Sequence, residues 1–413
     1  MNKLFRVGLF GVLSCILGAF AGAIVWLVLK VMSLGIDLLW IWLPEMMNCS
    51  GSLVYPLIVC AAGGVIIGLW QKKYGLLPED LEQVMARVKN EGSYPYNNLH
   101  IIAVSALLPL IFGGALGPEA GLTGLIVGLS YFVGDRLKYK GEEVAALMES
   151  GIAATLGVVF NAPLFGIIGN LEPDNKKEKY GKKLASKKTR IFLYIMGVIG
   201  GMLAVMGLGR LLGSSGGLPR FEADHGMSIE QWKWFIPIVL VGVICGLLYL
   251  IFGKLTKKMG EALLENRITS CVIVGVIVAV FGYFLPLTMF SGEHEMGDLM
   301  VQWQVYPVAI LIMTGLGKLL MVNICINFGW RGGNIFPIIF AGVAIGYGMA
   351  GILGIDGSFT VAVMVAALYT YIMRKPFTVV AVLLLCFPIA YIVPVTLSAL
   401  AASKIPVPKA LIK

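Results

Sequence analysis

The sequence predicts an all-α membrane protein that crosses the bilayer several times and is built from two inverted repeats. The first observation is composition. Of 413 residues, 58% are hydrophobic and 13% are charged, whereas a soluble domain carries about 25% charged residues. The second is a series of apolar stretches along the chain, many interrupted by glycine or proline. The third is a pair of matching glycine–proline elements about half a chain apart.

The apolar stretches lie at residues 4–30, 53–70, 100–113, 117–134, 142–158, 160–171, 190–213, 232–252, 268–286, 305–327, 335–354, 358–373 and 377–402. Several are shorter than the ~20 residues that a helix needs to cross a bilayer. Broken helices are tolerated only where protein buries them or they line a cavity. We therefore expect helices of uneven length, some ending inside the membrane. The first stretch lacks a small-residue cleavage site and is expected to be a retained membrane segment.

The two glycine–proline elements carry the functional prediction. One reads Gly-Gly-Ala-Leu-Gly-Pro-Glu-Ala-Gly at residues 113–121, and the other reads Gly-Gly-Asn-Ile-Phe-Pro-Ile-Ile-Phe-Ala-Gly at residues 332–342. Proline in the first position of a helix loses no hydrogen bond, so each element predicts a loop that leads into a helix N-terminus. Such an end presents N–H groups and the positive end of the helix dipole. Two such ends, one per repeat, predict an anion site made without a basic side chain.

A second pair of prolines supports the internal repeat. Asn-Ala-Pro-Leu-Phe at residues 161–165 and Arg-Lys-Pro-Phe-Thr at residues 374–378 are also about half a chain apart. Matching interruptions in two halves are typical of repeat folds with a site at the repeat interface. We expect residues 1–213 to form the first half and residues 214–413 the second, with no cytoplasmic regulatory domain. The alternative is that glycine and proline are simply frequent in membrane helices.

The net charge of +9 is concentrated in short loops, most densely at residues 176–190. Basic short loops in an apolar chain mark the cytoplasmic side of a membrane, so a nucleic-acid partner is not predicted. The seven cysteines are scattered, without a Cys-x-x-Cys pair, and predict neither a metal nor a redox site. No phosphate-binding loop, His-Glu-x-x-His or Gly-x-Ser-x-Gly motif occurs, so the sequence favours neither an enzyme nor a cofactor.

Five segments resemble, in order, the CLC family of chloride channels and anion/proton exchangers. They are Gly-Leu-Leu-Pro-Glu at 75–79, Gly-Ala-Leu-Gly-Pro at 114–118, Phe-Asn-Ala-Pro-Leu at 160–164, Gly-Asn-Ile-Phe-Pro at 333–337 and Arg-Lys-Pro-Phe-Thr at 374–378. The pattern is most similar to a short bacterial branch described as ion-channel proteins. The resemblance implies a CLC-like inverted repeat in a bacterial inner membrane. It also implies a homodimer with one pore per subunit and an interface near residues 160–171, 191–213 and 376–402.

The resemblance also implies the site residues. Backbone N–H groups at matched positions would contact the anion, which is expected to be chloride. These positions are Gly75, Leu76, Gly117, Asn334 and Ile335. Gly75 stands where the family usually has an ion-contacting serine.

Glu119 is the candidate gate. The family's gating glutamate precedes Gly-Pro, and Leu116 occupies that position here. Glu119 lies three residues later, on a similar helix face. Its carboxylate would occupy the empty anion site and lose that ability when protonated. The alternative is a charge that only satisfies a helix end.

Other departures from the family pattern bear on mechanism. The position of the family's proton-transfer glutamate is Pro173, next to Glu172. The sequence ends soon after Lys404, so we expect the family's last helix, with its ion-contacting tyrosine, to be missing or truncated. We therefore expect passive chloride permeation. The alternatives are a proton-coupled exchanger of chloride, fluoride or nitrate, an unrelated transporter of organic solutes, and a closed pore that acts through partners.

Three further features have two interpretations each. Arg331 either raises the local anion concentration or snorkels to the membrane surface. Lys318, at the family's usual spacing before the second element, either attracts anions along the path or snorkels. The Gly-Glu-His-Glu cluster at residues 292–295 has a single histidine, so we expect a solvated loop and a poor metal site.

Overall fold

The computed structural model describes residues 3–49, 51–80, 83–84, 86–87, 91, 94–136, 142–159, 186–213, 219–221, 229–263 and 265–411. The motif at residues 160–164, Glu172 and Pro173 lie outside them. The helices of ten or more described residues are α1 (Lys3–Asp37), α2 (Val54–Tyr74), α3 (Leu99–Ile111), α4 (Glu119–Arg136), α5 (Glu142–Val159), α6 (Lys187–Leu212), α7 (Phe235–Leu263), α8 (Arg267–Phe284), α9 (Glu293–Gln302), α10 (Val308–Asn327), α11 (Ile335–Leu353), α12 (Gly357–Met373), α13 (Pro376–Cys386) and α14 (Ile392–Lys404).

The helices differ in length as the sequence predicts. Within the described part of the chain, seven helical segments are long and apolar enough to cross a membrane; they are Val7–Met46, α2, α6, α7, α8, α10 and α11. Others are apolar but shorter, including α3 with 13 residues and α12 with 17 residues. The expectation of long and short apolar helices in one chain is therefore confirmed.

One compact unit comprises residues 1–33, 78–107 and 119–217. Helix α5 packs against both α4 and α6. Helix α1 approaches α6 closely, because a side chain at Gly18 would overlap the carbonyl of Gly197. The buried hydroxyl of Ser14 also donates to the carbonyl of Leu193 at 2.6 Å. Small residues let membrane helices come this close.

The other compact unit comprises residues 34–77, 108–118 and 218–413. It contains α2, the end of α3, and α7 to α14. Helix α2 packs along α8, helix α11 packs between α10 and α12, and α7 covers α12 and α10. This unit holds the first glycine–proline element up to Pro118 and all of the second. The division of the chain into repeats at residues 1–213 and 214–413 stays a prediction.

Helix α11 lies in the interior of this second unit. Over an apolar stretch of 18 residues in α11, 83% of the residues are buried inside the protein, whereas 33% are buried in the corresponding stretch of α2. A helix that is apolar on all sides is buried in a protein core or a membrane. The N-terminus of α11 lies in the protein interior, because its first residues, Ile335 and Phe336, are buried.

The two element prolines lie near helix starts, but neither is the first helical residue. Pro118 immediately precedes α4, and Pro337 is the third residue of α11. The prediction of a proline at the first position is therefore wrong in detail. A proline near a helix start still costs no helical hydrogen bond, because the first four N–H groups of a helix have no partner within the helix.

The prediction of a solvated loop at residues 292–295 is wrong. Gly292 adopts a left-handed conformation with φ 88° and is followed by α9. Its missing side chain leaves room for the ring of Phe340, whose Cγ would lie 2.5 Å from a Cβ at this position. Glu293 opens the helix with only 3% of its surface exposed. An acidic residue in a first helical turn is stabilised by the dipole, which the loop interpretation overlooked.

Candidate anion site

The two glycine–proline elements meet at Gly117 and Gly333. The N–H of Gly117 donates to the carbonyl of Gly333 at 2.8 Å, and the N–H of Gly333 donates to the carbonyl of Gly117 at 2.7 Å. The two residues thus form an isolated antiparallel bridge. Segments about half a chain apart lie side by side at the start of α11.

This bridge occupies an amide that the sequence assigns to the anion. Because the Gly117 N–H is bonded to Gly333, it faces an anion only after the bridge opens or shifts. Gly117 as an anion ligand therefore stays a prediction, with a conformational step attached to it.

Asn334 and Ile335 lie where the second element becomes helix. Asn334 precedes α11 and Ile335 is its first residue. The side-chain amide of Asn334 donates to the hydroxyl of Tyr249 at 3.0 Å. Sequence reasoning missed Tyr249, although a tyrosine in an apolar helix signals a buried hydroxyl that needs a partner.

Gly75 and Leu76 lie just after α2 and are half-buried. Gly75 ends the helix with φ 92°, and its N–H donates to the carbonyl of Gln71 at 2.9 Å. The side chain of Gln71 in turn donates to the carbonyl of Gly329 at 2.5 Å. Through Gln71, the first candidate position is linked to the loop that carries the second glycine–proline element.

Lys318 lies inside α10 with 0% of its surface exposed. Its Nζ donates to the carbonyls of Met289 at 2.5 Å and Phe290 at 2.8 Å, and it lies 4.9 Å from the centre of the Phe340 ring. The snorkelling interpretation of Lys318 is therefore wrong, because the ammonium group ends in the protein interior.

The Lys318 contacts reach the first glycine–proline element through Phe290. The N–H of Phe290 donates to the carbonyl of Gly113 at 3.2 Å. Phe290 has a positive φ of 55°, an uncommon conformation for a residue with a side chain. Lys318 thus fixes the turn at Met289 and Phe290 by hydrogen bonds. This turn is itself bonded to Gly113 at the start of the first loop.

Arg331 follows the fully buried Trp330 and is half-buried itself. It lies two residues before Gly333, next to the bridge in sequence. Both interpretations of its charge stay predictions.

Glu119 is the first residue of α4 and 1% of its surface is exposed. Its backbone carbonyl accepts a bond of 2.7 Å from the hydroxyl of Thr123. In sequence it is two residues from Gly117. A buried carboxylate at a helix N-terminus is stabilised by the helix dipole, which keeps a charged form accessible in an apolar setting.

The family model described as voltage gated chloride channel matches residues 63–406. The chain belongs to this family. Membership in the CLC family confirms the resemblance on which the site assignment depends, and it makes the interpretation as an unrelated organic-solute transporter wrong.

Two curated CLC relatives illustrate the range of similarity. YfeO of Escherichia coli O7:K1, a protein named for ion transport, is 24% identical over 340 residues, covering 80% of this chain and 76% of YfeO. The H⁺/Cl⁻ exchange transporter ClcA of Vibrio vulnificus is 26% identical over 286 residues, covering 64% of this chain and 56% of ClcA.

Solved CLC structures share the fold. A CLC-type fluoride/proton antiporter aligns with a TM-score of 0.75 and 18% identity, covering 98% of this chain and 97% of its own. A slow cyanobacterial Cl⁻/H⁺ antiporter aligns with a TM-score of 0.78 and 16% identity, covering 95% and 93%. The chain is therefore an integral, multi-pass membrane protein with the CLC fold, in a family that transports anions.

Proposed function

We propose that the protein lets anions, chloride first, pass down their gradient through a pore at the Gly117–Gly333 bridge. The observation that carries this proposal is the bridge itself, which joins the two glycine–proline elements at the N-terminal end of α11. Amide N–H groups and a helix dipole attract an anion without a full positive charge. Weak attraction of this kind suits permeation, because an ion must leave a site as readily as it enters.

The proposed ligands are the backbone amides of Leu76, Asn334 and Ile335, together with those of Gly75 and Gly117 once their bonds to Gln71 and Gly333 open. The buried ammonium of Lys318 supports them electrostatically, since a charge in a low-dielectric interior acts over a longer range than in water. Arg331 adds positive charge near the second element. Substituting the side chain of Leu76, Asn334 or Ile335 leaves the backbone N–H in place, so such a change does not by itself remove a ligand.

Glu119 is the proposed gate. Its carboxylate mimics an anion and competes for the site, and an ionisable group within a membrane protein is a functional candidate by default. Protonation removes the charge and ends the competition. Anion flux through this pore therefore rises as the pH falls.

A proton-coupled exchanger is the second candidate. It is favoured by the burial of Glu119, since a buried carboxyl group can carry a proton, and by the named activities of ClcA and of the two antiporters with the same fold. Against tight coupling stands Pro173 at the position of the family's proton-transfer glutamate. A proline has no proton to transfer. We therefore place passive flux first.

The experiment that separates the two candidates uses purified protein in chloride-loaded liposomes. External chloride and external pH are recorded together after a potassium ionophore sets the voltage. Chloride efflux without proton movement supports the passive pore. Efflux with stoichiometric proton uptake supports the exchanger, and silence of both ions, with folded protein, contradicts both and favours a closed pore.

We infer that the protein is a homodimer in a bacterial cytoplasmic membrane. Apolar side chains are exposed on α6 and near α14, including Leu203 at 62% and Ile389 at 82%. Both lie in segments that the family resemblance assigns to the subunit interface. Light scattering coupled to size exclusion in detergent tests this inference. A mass of one chain after subtraction of detergent contradicts it.

A further inference from the structure

Each glycine–proline loop begins at the C-terminal end of a helix. Helix α3 ends at Ile111, just before the first loop, and α10 ends at Asn327, just before the second. The last carbonyl groups of a helix have no partner within it and carry a partial negative charge. Such carbonyls repel an anion. A loop that binds an anion must therefore point these carbonyls away from it or satisfy them with hydrogen-bond donors.

Buried side chains cap the carbonyls of the second loop. The hydroxyl of Ser270 donates to the carbonyl of Phe328 at 2.5 Å, and the amide of Gln71 donates to the carbonyl of Gly329 at 2.5 Å. Ser270 is 0% exposed and Gln71 is 2% exposed. Burying a polar side chain costs free energy unless the side chain is hydrogen-bonded. The bonds to the carbonyls of Phe328 and Gly329 offset this cost for Ser270 and Gln71.

The carbonyls of the first loop are capped in the same way. The indole N–H of Trp40 donates to Ile111 at 2.9 Å, and the thiol of Cys60 donates to Phe112 at 3.4 Å. The next carbonyl, at Gly113, accepts from the backbone of the turn that Lys318 holds.

One helix serves both loops. Cys60 and Gln71 lie in α2 about three turns apart, a spacing that returns to nearly the same helix face. Ser270 lies in α8, which packs so closely on α2 that a Cβ at Gly68 would lie 2.6 Å from the Cα of Ile268. Three of the four side-chain donors, Cys60, Gln71 and Ser270, therefore stand on one closely packed pair of helices.

Capping a carbonyl also fixes an amide. The C=O and N–H of one planar peptide unit point in opposite directions. Holding the carbonyls of Phe328 and Gly329 against α8 and α2 therefore turns the next N–H groups away from these helices. It also sets the path of the chain that leads to Gly333.

We propose that Gln71 and Ser270 are positioning residues that keep the carbonyl end of α10 away from the anion and thereby set anion affinity. This inference rests on the proposed function, because it assigns a role at the same site. Neither side chain contacts the anion. Without them a carbonyl is free to rotate toward the site, where its partial negative charge weakens anion binding.

The test measures chloride binding to the purified full chain by isothermal titration calorimetry. The variants are Ser270→Ala and Gln71→Met, which remove the donors with little change of shape. The matched control is Ser398→Ala, since Ser398 is equally buried and its hydroxyl donates to the carbonyl of Val363 at 2.7 Å, in helices that carry neither loop. Ser270→Thr restores the hydroxyl.

We expect each of the first two variants to raise the chloride Kd by about tenfold, the effect of one lost hydrogen bond on the loop geometry. Ser398→Ala leaves the Kd unchanged, and Ser270→Thr returns it toward the value of the unmodified protein. Melting temperatures distinguish positioning from general support. A fall in melting temperature with an unchanged Kd, or an equal loss of affinity in Ser398→Ala, overturns the inference. If the unmodified protein binds no chloride, the proposed function fails first and the inference fails with it.

Discussion

The side-chain amide of Asn334 donates a hydrogen bond of 3.0 Å to the hydroxyl of Tyr249. Asn334 is the last residue before α11, whereas Tyr249 lies in the middle of α7 with 8% of its surface exposed. The bond fixes the residue where the second glycine–proline loop becomes helix. A side chain can thus matter at this position even though the backbone amide is the proposed anion ligand.

Tyr249→Phe removes this hydroxyl and leaves the ring in place. We expect a loss of about 1 kcal/mol in the free energy of unfolding, the typical net value of one hydrogen bond. Chloride flux is retained, because the amides of Asn334 and Ile335 remain. Asn334→Ala in the same background adds little further destabilisation, since the two residues share one bond. Denaturant unfolding of the two single variants and the double variant measures the coupling.

The control for this cycle is Tyr371→Phe. The hydroxyl of Tyr371 donates to the carbonyl of Pro406 at 3.2 Å, so this variant also removes one tyrosine hydroxyl. We expect its loss of unfolding free energy to add to that of Asn334→Ala without coupling, because Tyr371 and Asn334 share no hydrogen bond. Strict additivity of Tyr249→Phe and Asn334→Ala is the result that contradicts the prediction.

Glu119→Gln keeps the size of the side chain and removes its charge. The proposed gate no longer competes with the anion, so chloride flux at neutral pH increases and loses its dependence on pH. In the unmodified protein, flux rises as the pH falls, because protonation neutralises the carboxylate. Flux measured from about pH 4.5 to about pH 7.5, a range that starts near the ordinary pKa of a glutamate, tests both statements.

The matched control is Glu293→Gln. Glu293 is also buried, at 3% exposure, and also opens a helix. It has no proposed role in permeation, so the pH dependence of flux is unchanged. If both variants flatten the pH profile alike, the gate assignment of Glu119 is wrong.

Much of the fold could be predicted because it depends on composition and on local interruptions. Apolar runs of different length predict long and short helices, and the repeated glycine–proline elements predict loops that lead into α4 and α11. Both Pro118 and Pro337 lie within three residues of a helix start, as the missing N–H of proline leads one to expect. These features are local in sequence and need no knowledge of packing.

The contacts that shape the site could not be predicted, since they join residues far apart in sequence. Nothing near Gly117 indicates that its N–H is bonded to Gly333, and nothing near Ser270 indicates that it caps Phe328. The prediction of a loop at residues 292–295 failed for a related reason. Its helix depends on a left-handed Gly292 against the ring of Phe340, a packing relation that the local sequence does not contain.

Lys318→Met replaces a buried ammonium group by an apolar side chain of similar length. The carbonyls of Met289 and Phe290 lose a charged donor, which costs stability, whereas the relief of a buried charge offsets part of that cost. We expect a net loss of about 2 kcal/mol in the free energy of unfolding. Chloride affinity also falls, because a positive charge near the first loop is lost.

Lys254→Met is the control for the charge. The ammonium of Lys254 donates to the carbonyl of Ala410 at 3.1 Å in an exposed position, so its removal changes stability by less than about 0.5 kcal/mol. Thermal melts and chloride titrations of both variants give the comparison. Equal effects of the two substitutions would show that only net charge matters.

Gly113→Ala tests the turn that Phe290 holds. Gly113 has φ 91°, and a Cβ there would lie 2.6 Å from the Cε of Met289. Backbone strain at such a position costs about 1–3 kcal/mol, and the methyl group also pushes against the segment bonded to Lys318. Both stability and chloride flux therefore fall, as thermal melts and liposome flux assays would measure.

Gly207→Ala is the opposite case and serves as the control for Gly113→Ala. Gly207 lies inside α6, and a Cβ added there would meet no heavy atom within 4 Å. Alanine at this position stabilises the helix by up to about 1 kcal/mol and leaves flux unchanged, because no atom of the same subunit has to move. Flux lost equally in both variants would mean that the turn at Gly113 has no special role, since a methyl group in open space would then act as strongly as one that strains the loop.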